Sequence, residues 1–148
     1  MPGPTTVPVP LRWSDMDAYA HVNNVQYLRL LEDARVLGFR EWFGPSPSML
    51  DEGVVVTRHE IEYLAPLEYR SAPVVVRMWV TRTSPTGFTI GYQIADSTDP
   101  AAIVYAVATT GLALFDFTSL RPRRMSPAER AVLEGLTAPP PTFRWRER

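Results

Sequence analysis

The chain has 148 residues, 45% hydrophobic and 21% charged, the balance of a folded globular protein with one sizeable core and not of a disordered or fibrous chain. Its 15 basic residues are all arginine and face 16 acidic ones, a net charge of -1, so no global field draws it to nucleic acid or to an anionic membrane. Cysteine and lysine are absent, which excludes disulfides, thiolate nucleophiles, cysteine-ligated zinc, Schiff-base lysines and the Walker lysine.

Met1–Thr6 and Thr137–Arg148 are proline-rich and are expected to be tails with little fixed structure, although Phe143 and Trp145 offer local docking groups. Between them, 7–136 is expected to be a single domain. The first ten residues lack the charged and apolar regions of a signal peptide, and no window approaches the roughly 18 consecutive apolar residues of a membrane span. A chain without cysteine suits a reducing cytoplasm, the expected compartment.

Val7–Trp13 alternates loosely and predicts an edge strand, followed by a polar turn from Ser14 to Asn24. Over Val25–Arg40 the period becomes helical: Tyr27, Leu30, Leu31, Ala34, Leu37 and Gly38 share one arc, and Asn23 or Asn24 is the cap. A short helix around Ser48–Glu52 is expected next. Val54–Leu64, Val74–Thr83, Phe88–Ala95 and Ile103–Phe117 are rich in Val, Ile, Thr, Tyr and Phe and predict four strands in a meander, separated by turns at Pro66–Pro73, Ser84–Gly87 and Asp96–Pro100. Ser126-Pro127-Ala128-Glu129 is a capping box with proline at the first helical position, opening a short helix that ends near Gly135 or Leu136. The fold class is α+β: one long helix wrapped by a twisted antiparallel sheet.

The stretch Ser14–Asn24 concentrates carboxylates, an imidazole and carboxamides just before a helix N-terminus. Unpaired N–H groups and the positive end of the helix dipole suit charge developing on a carbonyl oxygen, and a nearby carboxylate suits activation of water or direct attack. The same residue types also serve caps and turns, so the composition alone leaves both uses open.

Asp15-Met16-Asp17, then His21-Val22-Asn23-Asn24, Tyr27 and Glu32-Asp33-Ala34-Arg35, with a second block Ile61-Glu62-Tyr63-Leu64-Ala65-Pro66-Leu67, resemble the hotdog-fold thioesterases. This group contains 4-hydroxybenzoyl-CoA thioesterase and short acyl-CoA thioesterases; plant acyl-ACP thioesterases share the turn. The resemblance runs from about Leu11 to about Pro127. It implies Asp17 as the catalytic carboxylate, the backbone N–H of Asn24 as the group polarising the thioester carbonyl, and Glu32 as a second acid holding water. For His21 it leaves orientation of Asp17, contact with substrate and bracing of the turn as alternatives. Asn23 is a cap with a possible substrate contact, Asp15 a turn residue, and His59 a structural strand residue. The chain departs from the group's pattern at Ala20, where many relatives carry glycine, and at Tyr69-Arg70-Ser71-Ala72, where a Gly-Asp turn is common.

The implied activity is hydrolysis of an acyl-CoA or acyl-carrier thioester to free acid and thiol, with coenzyme A as part of the substrate, no separate cofactor and no metal. Coenzyme A phosphates would have to meet arginine or backbone N–H groups; Arg121, Arg123 and Arg124 form the densest cluster, with Arg82 and Arg58 as further candidates and Gly87–Thr89 as backbone beside the pantetheine arm. Tyr27, Leu31 and residues from Met49 to Val55 would line the acyl pocket, with Trp79 and Tyr63 in the core. A homodimer or homotetramer with sites at the interface is expected, since hotdog sheets join edge to edge. The alternatives are a noncatalytic acyl-CoA or acyl-carrier binding module and a hotdog enoyl-thioester hydratase or dehydratase.

Overall fold

The long helix starts where the sequence places its cap. In the computed structural model, which describes residues 4–44 and 53–147, α1 runs Asn24–Phe43 and the Asn23 side chain accepts the Val25 N–H at 3.1 Å. The strands are β1 (Thr5–Val9), β2 (Val54–Tyr63), β3 (Val74–Ser84), β4 (Gly87–Ala95), β5 (Val104–Asp116) and the short β6 (Arg121–Pro122), and a second helix, α2, spans Pro127–Gly135. The helix expected around Ser48–Glu52 lies outside the described residues.

All ladders are antiparallel, in the order β1-β3-β4-β5-β2, with β6 on the end of β5. The expected four-strand meander therefore holds only for β3, β4 and β5, while β2 pairs with the far side of β5. Hairpin loops are short, about 2–5 residues, and the stretch between Tyr63 and Val74 is longer, so it crosses the sheet instead of turning back. Arg70 holds this crossing by donating to the carbonyls of Ala72 (3.2 Å), Pro73 (2.7 Å) and Asp96 (2.6 Å) and pairing with the Asp96 carboxylate. Tyr105 donates to the same carboxylate at 2.6 Å, and burial together with Asp96 pushes its phenol up to about 12.

Alternation along the strands sends Val74, Val76, Met78 and Val80 of β3 and Phe88, Ile90, Tyr92 and Ile94 of β4 to the face under α1, where Leu30, Leu31, Ala34 and Phe39 meet them in the core. One cation enters this layer: Arg35, 7% exposed, donates to the Tyr92 hydroxyl at 3.2 Å. β2 has β5 on one side and, among the described residues, no strand on the other.

The C-terminal segment differs most from its expectation. Instead of a loose tail, residues 136–138 pair with β3 at Val80 in a parallel bridge, and the residues after them cross the outer face of the sheet. Val80 N–H donates to the Leu136 carbonyl (3.1 Å) and Ala138 N–H to the Val80 carbonyl (2.9 Å), Trp79 Nε1 donates to the Pro139 carbonyl (2.8 Å), and Phe143 is 1% exposed. The N-terminal tail is likewise shorter than expected, since Thr5 and Thr6 pair with Met78 and Arg77. Gly91 makes the crossing possible: a Cβ there would sit 2.9 Å from Pro141 Cδ and 2.9 Å from Thr81 Cγ2. Gly91→Ala is therefore expected to lower stability by about 1–3 kcal/mol through overpacking and to speed proteolysis after Leu136, read from urea midpoints and timed digestion.

Candidate active site

The site grows from a buried carboxylate. Asp15 is fully buried; its Oδ2 accepts the Arg12 N–H (2.7 Å) and Arg29 Nη2 (2.7 Å), and its Oδ1 accepts Arg12 Nε (3.0 Å). Burial pushes its carboxyl up, but the Arg12 bonds and the Arg29 and Arg12 charges outweigh this and hold it below the usual carboxylate range. The Asp15 carbonyl also accepts the Asn23 N–H at 2.8 Å, which ties the start of the turn to the helix cap. A second tie, from the Val22 N–H to the Leu67 carbonyl (2.7 Å), fastens the turn to the segment after β2.

Between these ties the chain bends back on itself. Asp17 N–H donates to the His21 carbonyl (2.8 Å), and Ala20 takes the left-handed conformation at φ 62°. This is the position where the resemblance favours glycine, and the bend keeps its shape with a Cβ present. Asp17 Oδ1 accepts the backbone N–H groups of Tyr19 (2.7 Å) and His21 (3.2 Å). His21 thus holds Asp17 through its backbone N–H, and among the described residues its imidazole makes no bond to Asp17.

Asp17, His21, Val22, Asn24, Tyr27, Tyr63, Leu64, Ala65 and Pro66 line one cleft of about 350 Å³. Asn24 opens α1, and its N–H has no acceptor among the described residues, so the residue that carries a helix-terminal donor and an exposed carboxylate line the same cleft. Tyr63, expected in the core, is instead 44% exposed on the cleft wall: its hydroxyl donates to the Asn24 carbonyl at 3.1 Å, and its ring meets Tyr27 edge-on at 5.0 Å. Burial raises both phenols above their ordinary value, so they stay protonated at neutral pH. The signal that finds Tyr63 is the strand register, because it pairs with Ala106 on the helix side of the sheet.

The other expected site residues lie elsewhere. Glu32 is exposed on α1 about 12 Å along the axis from Asn24, and its carboxylate acts on His59, whose imidazole is pulled down by burial and by Arg35 against the pull of Glu32. Leu31 is fully buried in the core and does not line the cleft; Asn23 serves as the cap. Arg121 and Arg124 are exposed beyond β5, while Arg123 makes two 2.9 Å bonds to Glu129 and so supports the capping box of α2. These three do not line the cleft. A smaller polar pocket of about 130 Å³ gathers Arg82, Thr57, Thr83, Ser84 and Thr89 with Gly87 and Gly111, beside bulges at Val56/Arg58 and Val80/Arg82. Among the described residues no group of three His, Cys, Asp or Glu is placed to hold a metal, and no helix is long and apolar enough to cross a membrane.

Comparison with known proteins places this geometry. Residues 11–136 match the family model described as the thioesterase-like superfamily. No curated protein matches the sequence. Among solved structures, a Bacillus stearothermophilus protein described as a predicted thioesterase is 25% identical with a TM-score of 0.79, covering 92% of this chain and 98% of its own. A Thermus thermophilus thioesterase, solved with coenzyme A and zinc, is 27% identical with a TM-score of 0.73, covering 90% of this chain and 94% of its own. A Pseudomonas aeruginosa protein is 30% identical with a TM-score of 0.73, covering 85% of this chain and 95% of its own. The fold is the hotdog fold that the sequence blocks suggest.

Two outcomes test the local account. Ala20→Gly is expected to raise stability by about 1 kcal/mol, because glycine adopts the left-handed bend without the Cβ penalty; urea midpoints measure it. Asp15→Asn is expected to cost about 2–3 kcal/mol at pH 7, since it leaves Arg12 and Arg29 without their buried counter-charge. Because the folded Asp15 carboxyl lies below its ordinary value, its contribution is present above about pH 4 and fades as pH falls. The wild-type and Asp15→Asn midpoints are therefore expected to converge towards pH 2.

Proposed function

Because the chain belongs to the thioesterase-like superfamily, we propose that it hydrolyses an acyl thioester, acyl-CoA or acyl-carrier, to free acid and thiol. One observation carries this: Asp17 and Asn24 line the same cleft at the helix N-terminus, and the Asn24 N–H has no acceptor among the described residues. A thioester carbonyl oxygen takes the Asn24 N–H, and its carbon then lies within reach of a water held by Asp17 Oδ2, the oxygen that the Tyr19 and His21 N–H groups leave available. Asp17 removes the proton as water adds to the carbon, Asn24 and the helix dipole stabilise the oxyanion, and collapse expels the thiolate, which needs little acid help with a pKa near 8–9. The product acid and the proton then leave. Direct attack by the same carboxylate, through an acyl-aspartyl anhydride, uses the same atoms.

The scheme calls for no cofactor and no metal, since coenzyme A is the substrate's leaving group. The Arg82 pocket, with Arg58 nearby, suits its phosphates: it combines a guanidinium with several hydroxyls and lies about 20 Å along β2 from Tyr63. This replaces Arg123, whose guanidinium is engaged by Glu129. The edge of β2 that no strand covers among the described residues suits pairing with a second copy, which would close the open side of the cleft and put the site at a dimer interface.

The test is thiol release from aromatic, short, medium and long acyl-CoAs; with no cysteine in the chain, a thiol-reactive dye reports product alone. Asp17→Asn is expected to lose at least about 100-fold in kcat while still binding the substrate. Unchanged turnover in that variant contradicts the role of Asp17. Binding without turnover by the wild-type protein makes the chain a binding module, and loss of enoyl-CoA absorbance without thiol release makes it a hydratase.

A further inference from the structure

The segment after Leu136 lies beyond the residues the family model matches, yet it makes a specific set of bonds to the back of the sheet. After Pro141 crosses Gly91, the Arg144 and Trp145 N–H groups donate to the Glu62 carboxylate at 2.7 and 3.0 Å. Arg146 Nη2 donates to both oxygens of Glu60 at 2.7 and 2.9 Å, and its guanidinium lies 4.9 Å from the Phe143 ring centre and 5.2 Å from that of Trp145. The strap is thus anchored at Val80 and Trp79 of β3, seated by the buried Phe143, and tied off on β2.

Glu62 and Tyr63 are consecutive in β2 and so point to opposite faces. Glu62 pairs with Val107 on the outer face, beneath the strap; Tyr63 pairs with Ala106 on the inner face, where its hydroxyl holds the Asn24 carbonyl. Whether or not a second copy pairs with the edge of β2, its outer face at this end carries the strap, which restrains it from behind. We infer that Glu62 is a positioning residue for the site. By accepting the two strap N–H groups it fixes the end of β2, and through Tyr63 it fixes the residue whose N–H faces the cleft. The inference rests on the thioesterase proposal in one respect, that the Asn24 N–H is the oxyanion donor.

The experiment uses the full chain as wild type, Glu62→Ala, Glu62→Gln, Tyr63→Phe and the Glu62→Ala/Tyr63→Phe double variant. Two readouts run together: kcat and KM on the best acyl-CoA of the panel, and peptide-resolved hydrogen exchange over 20–30 and 54–63. Glu62→Ala and Tyr63→Phe are each expected to lower kcat about tenfold with KM little changed, a small displacement at the reacting centre being enough for that. The double variant is expected to be no worse than the poorer single one, because both act through one contact. Glu62→Gln, which keeps one of the two acceptor oxygens, is expected to recover part of the loss, and exchange in both segments is expected to quicken in Glu62→Ala. The inference is overturned if Glu62→Ala leaves kcat and exchange unchanged, or if the two losses multiply. If the wild-type protein releases no thiol, the thioesterase proposal fails separately and the exchange arm decides: quickened exchange in both segments supports positioning by Glu62, and unchanged exchange refutes it.

Discussion

A carboxylate with no solvent exposure organises the chemistry of this chain. Asp15 gathers the Arg12 backbone, the Arg12 guanidinium and Arg29 on its side chain, and the Asn23 N–H on its carbonyl. An unpaired charge at this depth would destabilise the fold by several kcal/mol, so the surrounding groups converge on it and the turn is left with one geometry. Arg29 carries the constraint further by bonding Asp33 at 2.6 Å, one turn along α1. The entry to the helix, the angle of its axis and the bend at Ala20 all follow from that convergence.

Asp17, two residues on, has the opposite environment. It is exposed, no arginine lies within salt-bridge distance among the described residues, and the partners of its Oδ1 are backbone N–H groups. A carboxylate held by backbone N–H groups on one oxygen keeps the other open to the cleft, the arrangement that the proposed activation of water calls for. The two acids thus contrast within one turn: Asp15 is buried and paired with arginine, and Asp17 is exposed on the cleft. The arginines divide in the same way. Arg29, Arg70 and Arg123 stitch loops and caps through Asp15, Asp96 and Glu129, while Arg82 borders a small polar pocket.

Much of this was legible from residue order. The helix and its Asn23 cap, the Ser126–Glu129 capping box, the strand segments and the structural role of Asp15 all follow from local spacing, because each is decided by neighbours a few residues apart. What escaped depends on partners far along the chain. The position of β2 beside β5 is set by a crossing held through Arg70 and Asp96, 26 positions apart, and no local period reports that. The ordered C-terminal segment was hidden by its prolines, which argue against helix and strand but fit a strap lying flat on a sheet. Tyr63 reads as a core residue because an aromatic side chain in a strand usually belongs there; its register opposite Ala106, at the end of β2, puts it on the cleft wall instead.

In the proposed reaction the turn fixed by Asp15 presents the Asn24 N–H to a substrate carbonyl beside Asp17. The most direct measurement is the amide spectrum of the 15N-labelled protein titrated with an acyl-CoA analogue in which a methylene separates the carbonyl from sulfur, so that no hydrolysis occurs. The account predicts that the Asn24 amide shows the largest downfield proton shift, with smaller shifts at Tyr19 and His21. Saturable binding that leaves the Asn24 amide unmoved would contradict it.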